Sequence, residues 1–116
     1  MANQKVFQMD FGKIYEMYIQ KVERKGRTKK ELDTITMWLT GYNEANLKKQ
    51  LDSHVTVEEF YTFAPQIHPN AVKITGSICG VRIADIQDPL MLNIRYLDKL
   101  VDELAKGKDI EKILRK

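Results

Sequence analysis

The stretch Asp88-Pro89-Leu90-Met91-Leu92-Asn93-Ile94-Arg95-Tyr96-Leu97-Asp98-Lys99-Leu100-Val101-Asp102-Glu103-Leu104-Ala105-Lys106-Gly107 decides the fold. Asp88 is placed to cap the first free amides of a helix, and Pro89 fits the first helical position, where a missing N–H costs nothing. Leu90, Ile94, Leu97, Val101 and Leu104 recur at helical spacing, and Met91 and Leu100 widen the stripe. Gly107 suits the left-handed residue that ends a helix. The opposite face carries Arg95, Asp98, Lys99, Asp102 and Lys106, with Arg95–Asp98 and Asp102–Lys106 spaced to pair. A helix so apolar on one side needs a core, which the preceding segments must supply.

Those segments are helical too. Residues 1–9 read as a loosely held lead-in whose Val6, Phe7 and Met9 can fold back. Asp10 caps a first helix running to about Lys25, with Phe11, Tyr15, Tyr18 and Val22 in one stripe broadened by Ile14, Met17 and Ile19. Thr28-Lys29-Lys30-Glu31 has the capping-box form, and Leu32, Ile35, Trp38 and Leu39 follow before Gly41. Asn43 caps a third helix with Leu47 and Leu51 inward. Thr56-Val57-Glu58-Glu59 is a second capping box, stapled by Val55 and Phe60 and halted before Pro65.

Residues 70–86 admit two readings. Val72, Ile74, Thr75, Ile78, Val81 and Ile83 are β-branched, and Gly76 and Gly80 suit a short hairpin near 72–83. Ile74, Ile78 and Val81 also fall at helical spacing behind Asn70, and a lone hairpin among helices is marginal, which favours helix. After Gly107, Asp109 caps a short last helix. The expected architecture is mainly α: one domain over 1–116, a compact orthogonal bundle of about five to six short helices.

Composition bounds the function classes. At 116 residues, 43% apolar and 30% charged, the chain can bury one core without metals or disulfides. The lone Cys79 excludes an internal disulfide, and no apolar run approaches the ~18–20 residues of a membrane span. Met1 to Phe7 has no signal-like apolar core, so a cytoplasmic location is expected. A net charge of +3 is too small to demand a polyanion. Yet six bases, Lys21, Arg24, Lys25, Arg27, Lys29 and Lys30, stand against Glu23 alone, while the rest is close to balanced.

Each candidate site has a structural counterpart. Arg24, Lys25, Arg27, Lys29 and Lys30 bracket a helix start, where free amides favour an anion from nucleic acid or a phosphate ligand. The counterpart is a solvated lysine-rich turn, and it is favoured. Met37–Gln50 admits a helix-turn-helix reading, against two simply packed helices. Its second helix is polar but hardly basic, and Met37 is bulky where such motifs have a small residue. Trp38 lies on a core stripe, while Tyr42, Tyr61 and Tyr96 offer polar tips to a pocket. Cys79, His54 and His68 are scattered, which argues against a metal centre, and Cys79 reads as a buried inert thiol. Asp85 and Asp88 with Arg82 and Arg95 read as a join between helices.

Gly26-Arg27-Thr28-Lys29-Lys30-Glu31, Trp38-Leu39-Thr40-Gly41-Tyr42, Ile78-Cys79-Gly80-Val81-Arg82 and the block from Asp88 to Lys108 resemble the small bacterial proteins of domain-of-unknown-function family 2200. The resemblance covers nearly the whole chain and implies a mainly α-helical cytoplasmic bacterial protein. It implies no activity, cofactor or site residue. The residues themselves favour a non-enzymatic binding module that meets a protein partner, or a second copy, through an exposed aromatic or Met-rich face. Nucleic-acid binding through residues 21–30 is the alternative, an enzyme is least favoured, and no cofactor or membrane is called for.

Overall fold

Side-chain caps set most α-helix starts in the computed structural model, which describes residues 2–78 and 80–115. Helix α1 (Ala2–Phe7) precedes α2 (Phe11–Arg24), where the Asp10 carboxylate accepts the Gly12 N–H at 2.8 Å. Thr28 and Glu31 form the expected capping box at the start of α3 (Lys29–Thr40). Asn43 accepts from Asn46 N–H at 2.8 Å and opens α4 (Glu44–Asp52). Thr56 and Glu59 form a second box for α5 (Val57–Thr62). Strands β1 (Ser77–Ile78) and β2 (Val81–Arg82) pair antiparallel, with Ser77 opposite Arg82 and Ile78 opposite Val81. Asp88 then caps α6 (Pro89–Ala105), and α7 (Ile110–Ile113) follows. The chain is mainly helical, as expected. Among the described residues no helix is long and apolar enough to cross a membrane.

Helix α6 is the centre of the packing. It lies against α2, α3, α5, α7 and β1. Leu97, Leu100 and Leu104 are wholly buried with Phe11, Tyr15, Leu32, Ile35, Leu39 and Phe60. Phe11 stacks on Phe60 with ring centres 3.7 Å apart. Glu103 ties α6 to the end of the chain by accepting from both Nη atoms of Arg115. Burial pushes the Glu103 carboxyl up, but Arg115 and Lys108 outweigh it and hold the group below its ordinary range. This clamp therefore contributes fully above the ordinary glutamate range and weakens as pH falls through the lowered value.

One expectation is corrected, that of helix over residues 70–86. Ahead of α2, Ala2–Phe7 forms α1, and Val6 and Phe7 pack against the core. The backbone then bridges to the start of α5, with Phe11 N–H to Val55 O and Val57 N–H to Met9 O, both 2.9 Å. Within residues 70–86, Ser77–Ile78 and Val81–Arg82 pair as a hairpin in place of the favoured helix, flanked by 3-10 turns at Pro69–Lys73 and Ile83–Asp85. Gly76 and Gly80 sit at φ +91° and +78°, which a right-handed helix excludes. The hairpin is not alone: β1 leans on α6, Ile74, Ile78 and Ile83 are buried, and Lys99 Nζ donates to Ser77 O at 3.1 Å. Packing against a helix supplies the stability that a free hairpin lacks.

Gly80→Ala tests this difference by sign. A Cβ there meets nothing within 4 Å, so only backbone conformation responds. The hairpin predicts a loss of roughly 1–2 kcal/mol on chemical denaturation. A helical segment would instead gain up to about 1 kcal/mol.

Candidate functional site

Helices α1, α2, α5 and α6 leave a groove of about 420 Å³ between them. Val6, Ile14, Val57 and Ile94 form its apolar walls. Met9 and Met17 stand at its lip, 44% and 62% exposed. Met17 was expected to broaden the core stripe of α2; the structure turns it outward instead. Methionine is flexible and polarizable, and it recurs on surfaces that accept apolar partners. The volume falls in the range of small-molecule and side-chain pockets.

The groove also has polar lining from facing helices. Tyr18 OH donates to Asp98 Oδ1, and Arg95 Nη1 donates to Asp98 Oδ2 at 3.2 Å. The sequence places Arg95 and Asp98 on the solvent face of α6. They do pair, yet their side chains are only 25% and 19% exposed. The reason is that α2 and α5 bring Tyr18 and Tyr61 against this side of α6. Arg95 Nε is buried without a hydrogen-bond partner. Burial, then the neighbouring Asp98 charge, pushes both the Tyr18 and Tyr61 phenols well above the ordinary range. This wall of the groove thus presents neutral phenols and an internally balanced ion pair. Sequence reasoning missed it, although a pairable Arg–Asp beside Met91 and Ile94 was the visible signal.

Half of the six bases of the basic turn are engaged within the protein. Arg27 Nη2 meets Glu31 at 2.8 Å, while Nη1 donates to the Leu104 and Lys108 carbonyls at 3.2 and 2.9 Å. The same Glu31 accepts the Thr28 N–H, so the start of α3 already has a carboxylate on it. Lys21 pairs with Asp102 at 3.6 Å and Lys29 with Asp33 at 2.9 Å. Arg24, Lys25 and Lys30 are exposed and form no ion pair among the described residues.

The remaining candidates separate from one another. Trp38 stacks on His68 with centres 4.2 Å apart, and His68 Nδ1 accepts the Asn70 N–H. His54 instead pairs with Asp10 at 2.9 Å. Among the described residues no group of three His, Cys, Asp or Glu is placed to hold a metal. Cys79, expected as a buried thiol, lies outside the described residues. Helices α3 and α4 pack on each other across Gly41, with Leu47 buried. Arg82 and Asp85 approach to 3.5 Å on the surface, and Asp88 serves as the α6 cap.

A family model described as "Uncharacterized protein conserved in bacteria" matches residues 5–115. The chain belongs to this family, domain of unknown function 2200. The chain is also similar to a solved structure titled "Crystal structure of uncharacterized protein SP1917". The two are 49% identical, with a TM-score of 0.92 over 96% of this chain and 91% of that one. No curated protein matches the chain. Neither the model of family 2200 nor the SP1917 structure names a chemistry.

All five tyrosines have raised phenol values, Tyr42 up to about 12, with burial the leading cause in each. A raised folded value stabilises the protein below the unfolded value of 10.0 and is lost as pH rises beyond it. An absorbance titration of phenolate is therefore expected to show the tyrosines ionising together with loss of helical circular dichroism. Tyr18→Phe moves that alkaline transition to higher pH. Independent ionisation at about 10 in the folded protein would contradict the packing described.

Proposed function

We propose that this chain is a single-domain, non-enzymatic binding module of the bacterial cytoplasm, whose site is the groove between α1, α2, α5 and α6. Its partner is another protein that inserts one bulky apolar side chain. The observation that carries this reading is the concentration of exposed methionine at the mouth of an apolar groove with one polar wall. Isolated exposed apolar residues need no explanation, whereas Met9 and Met17 on one concave feature make a coherent surface. The cytoplasmic setting draws its support from the single cysteine, which suits a reducing compartment.

Panning a random peptide library against the protein tests the proposal. Enriched peptides are expected to carry a bulky apolar residue and to shift the methyl resonances of Met9, Met17 and Ile94. Met17→Asp should abolish the enrichment while changing stability by no more than about 0.5 kcal/mol, because the side chain is exposed. Peptides that shift only residues elsewhere, or no enrichment, would sink the reading. Concentration-dependent shifts of the same methyls in the free protein would name a second copy as the partner.

A second reading keeps Arg24, Lys25, Arg27, Lys29 and Lys30 as an anion or nucleic-acid surface. It draws support from the exposure of Arg24, Lys25 and Lys30. Three free cations predict an affinity for a DNA duplex that falls with salt at a log–log slope of roughly −3. Neutralising Arg24, Lys25 and Lys30 together should remove that slope. Binding that is unchanged by the triple substitution rules the surface out.

A further inference from the structure

We propose that His68 is a pH-sensitive latch: as a neutral ring it fastens the 3-10 turn Pro69–Lys73 to the end of α3, and on protonation it lets that turn go. The turn opens with Pro69, which has no N–H, and then with two amides that need acceptors. His68 takes both. Its Nδ1 accepts the Asn70 N–H at 3.0 Å, and its carbonyl accepts the Ala71 N–H at 2.9 Å. Its own N–H donates at 2.9 Å to the Leu39 carbonyl, one of the last of α3, and its ring stacks on Trp38 of the same helix. One residue thus joins the start of the turn to the end of the helix.

Proton chemistry decides which of these bonds survives acid. A neutral imidazole that accepts at Nδ1 carries its hydrogen on Nε2. Once protonated, both ring nitrogens are donors, and Nδ1 has no lone pair for an N–H. The Asn70 N–H then loses its acceptor, whichever way the ring turns. The other contacts do not oppose the charge, because an indole face attracts a cation and the last carbonyls of a helix favour one. Neither element against the ring brings a charge of its own: residues 36–41 at the end of α3 and 63–67 leading into His68 are all uncharged. The turn itself carries Lys73, which is exposed, and His68 forms no ion pair among the described residues. Acid therefore removes one hydrogen bond and leaves the stack. The release is local, loosening the turn that carries exposed Val72 between α3 and the hairpin.

Trp38 is the sole tryptophan, so its fluorescence reports on the ring that stacks on it. An imidazolium against an indole quenches that emission. As pH is lowered from about 8 to about 5, Trp38 fluorescence is expected to fall in step with the His68 ring titration followed by NMR on the full chain. Over the same step the hydrogen-exchange protection factor of the Asn70 amide should drop roughly two- to tenfold, the worth of one ordinary hydrogen bond. Helical circular dichroism should hold constant. His68→Asn keeps an acceptor for the Asn70 N–H but has no proton to gain, so it should abolish the fluorescence step and keep that amide protected throughout. If the variant does not fold, the Asn70 protection factor of the unaltered protein decides. A fluorescence step that persists in His68→Asn, Asn70 protection that ignores the His68 titration, or a step that coincides with loss of helix overturns the latch.

Discussion

The apolar stripe of α6 is too wide to be left in water, and the neighbouring elements are arranged to cover it. Nine of the seventeen residues of α6 are buried, which no single partner helix can achieve. Helices α2 and α3 cover much of it, β1 and α5 take further parts, and α7 folds back near the end. Short connections then force these elements to surround one central helix. Burial of such a stripe is worth roughly 1.5–3 kcal/mol for each large side chain, far more than any cap contributes. Caps determine where helices begin; α6 determines where they lie.

The charged groups follow from that arrangement. Arg27 illustrates this, because its place in the sequence suggests an anion site while its place in the fold is a brace. Its donors reach Glu31 on α3 and the carbonyls at the end of α6, where unpaired acceptors need partners. Glu103 and Arg115 make a comparable tie at the other side of the same turn. Cations that look free along a chain are often used to close helix ends. What remains without an ion pair among the described residues is the smaller set Arg24, Lys25 and Lys30.

Packing around a central helix also leaves a remainder. Where α1 meets α5 and α2 passes over α6, the side chains do not fill the space, and a groove with methionines at its lip results. The half-buried Arg95–Asp98 pair on its wall gives an apolar cavity one defined polar edge. Membership of family 2200 and the likeness to the SP1917 structure establish the fold, while neither supplies a chemistry.

The sequence by itself determined the local decisions. Asp10, Thr28, Asn43, Thr56 and Asp88 each cap the helix expected of them, because a cap depends on residues two or three positions apart. The core stripe of α6 was legible for the same reason of spacing. Tertiary structure decided the rest. Whether residues 70–86 became hairpin or helix turned on the positive φ of Gly76 and Gly80 and on support from α6, which no local pattern contains. Arg95 and Asp98 became the wall of a groove only because Tyr18, eighty residues from Asp98, was brought against them. Periodicity says which face of a helix is polar; only the neighbours say whether that face meets water.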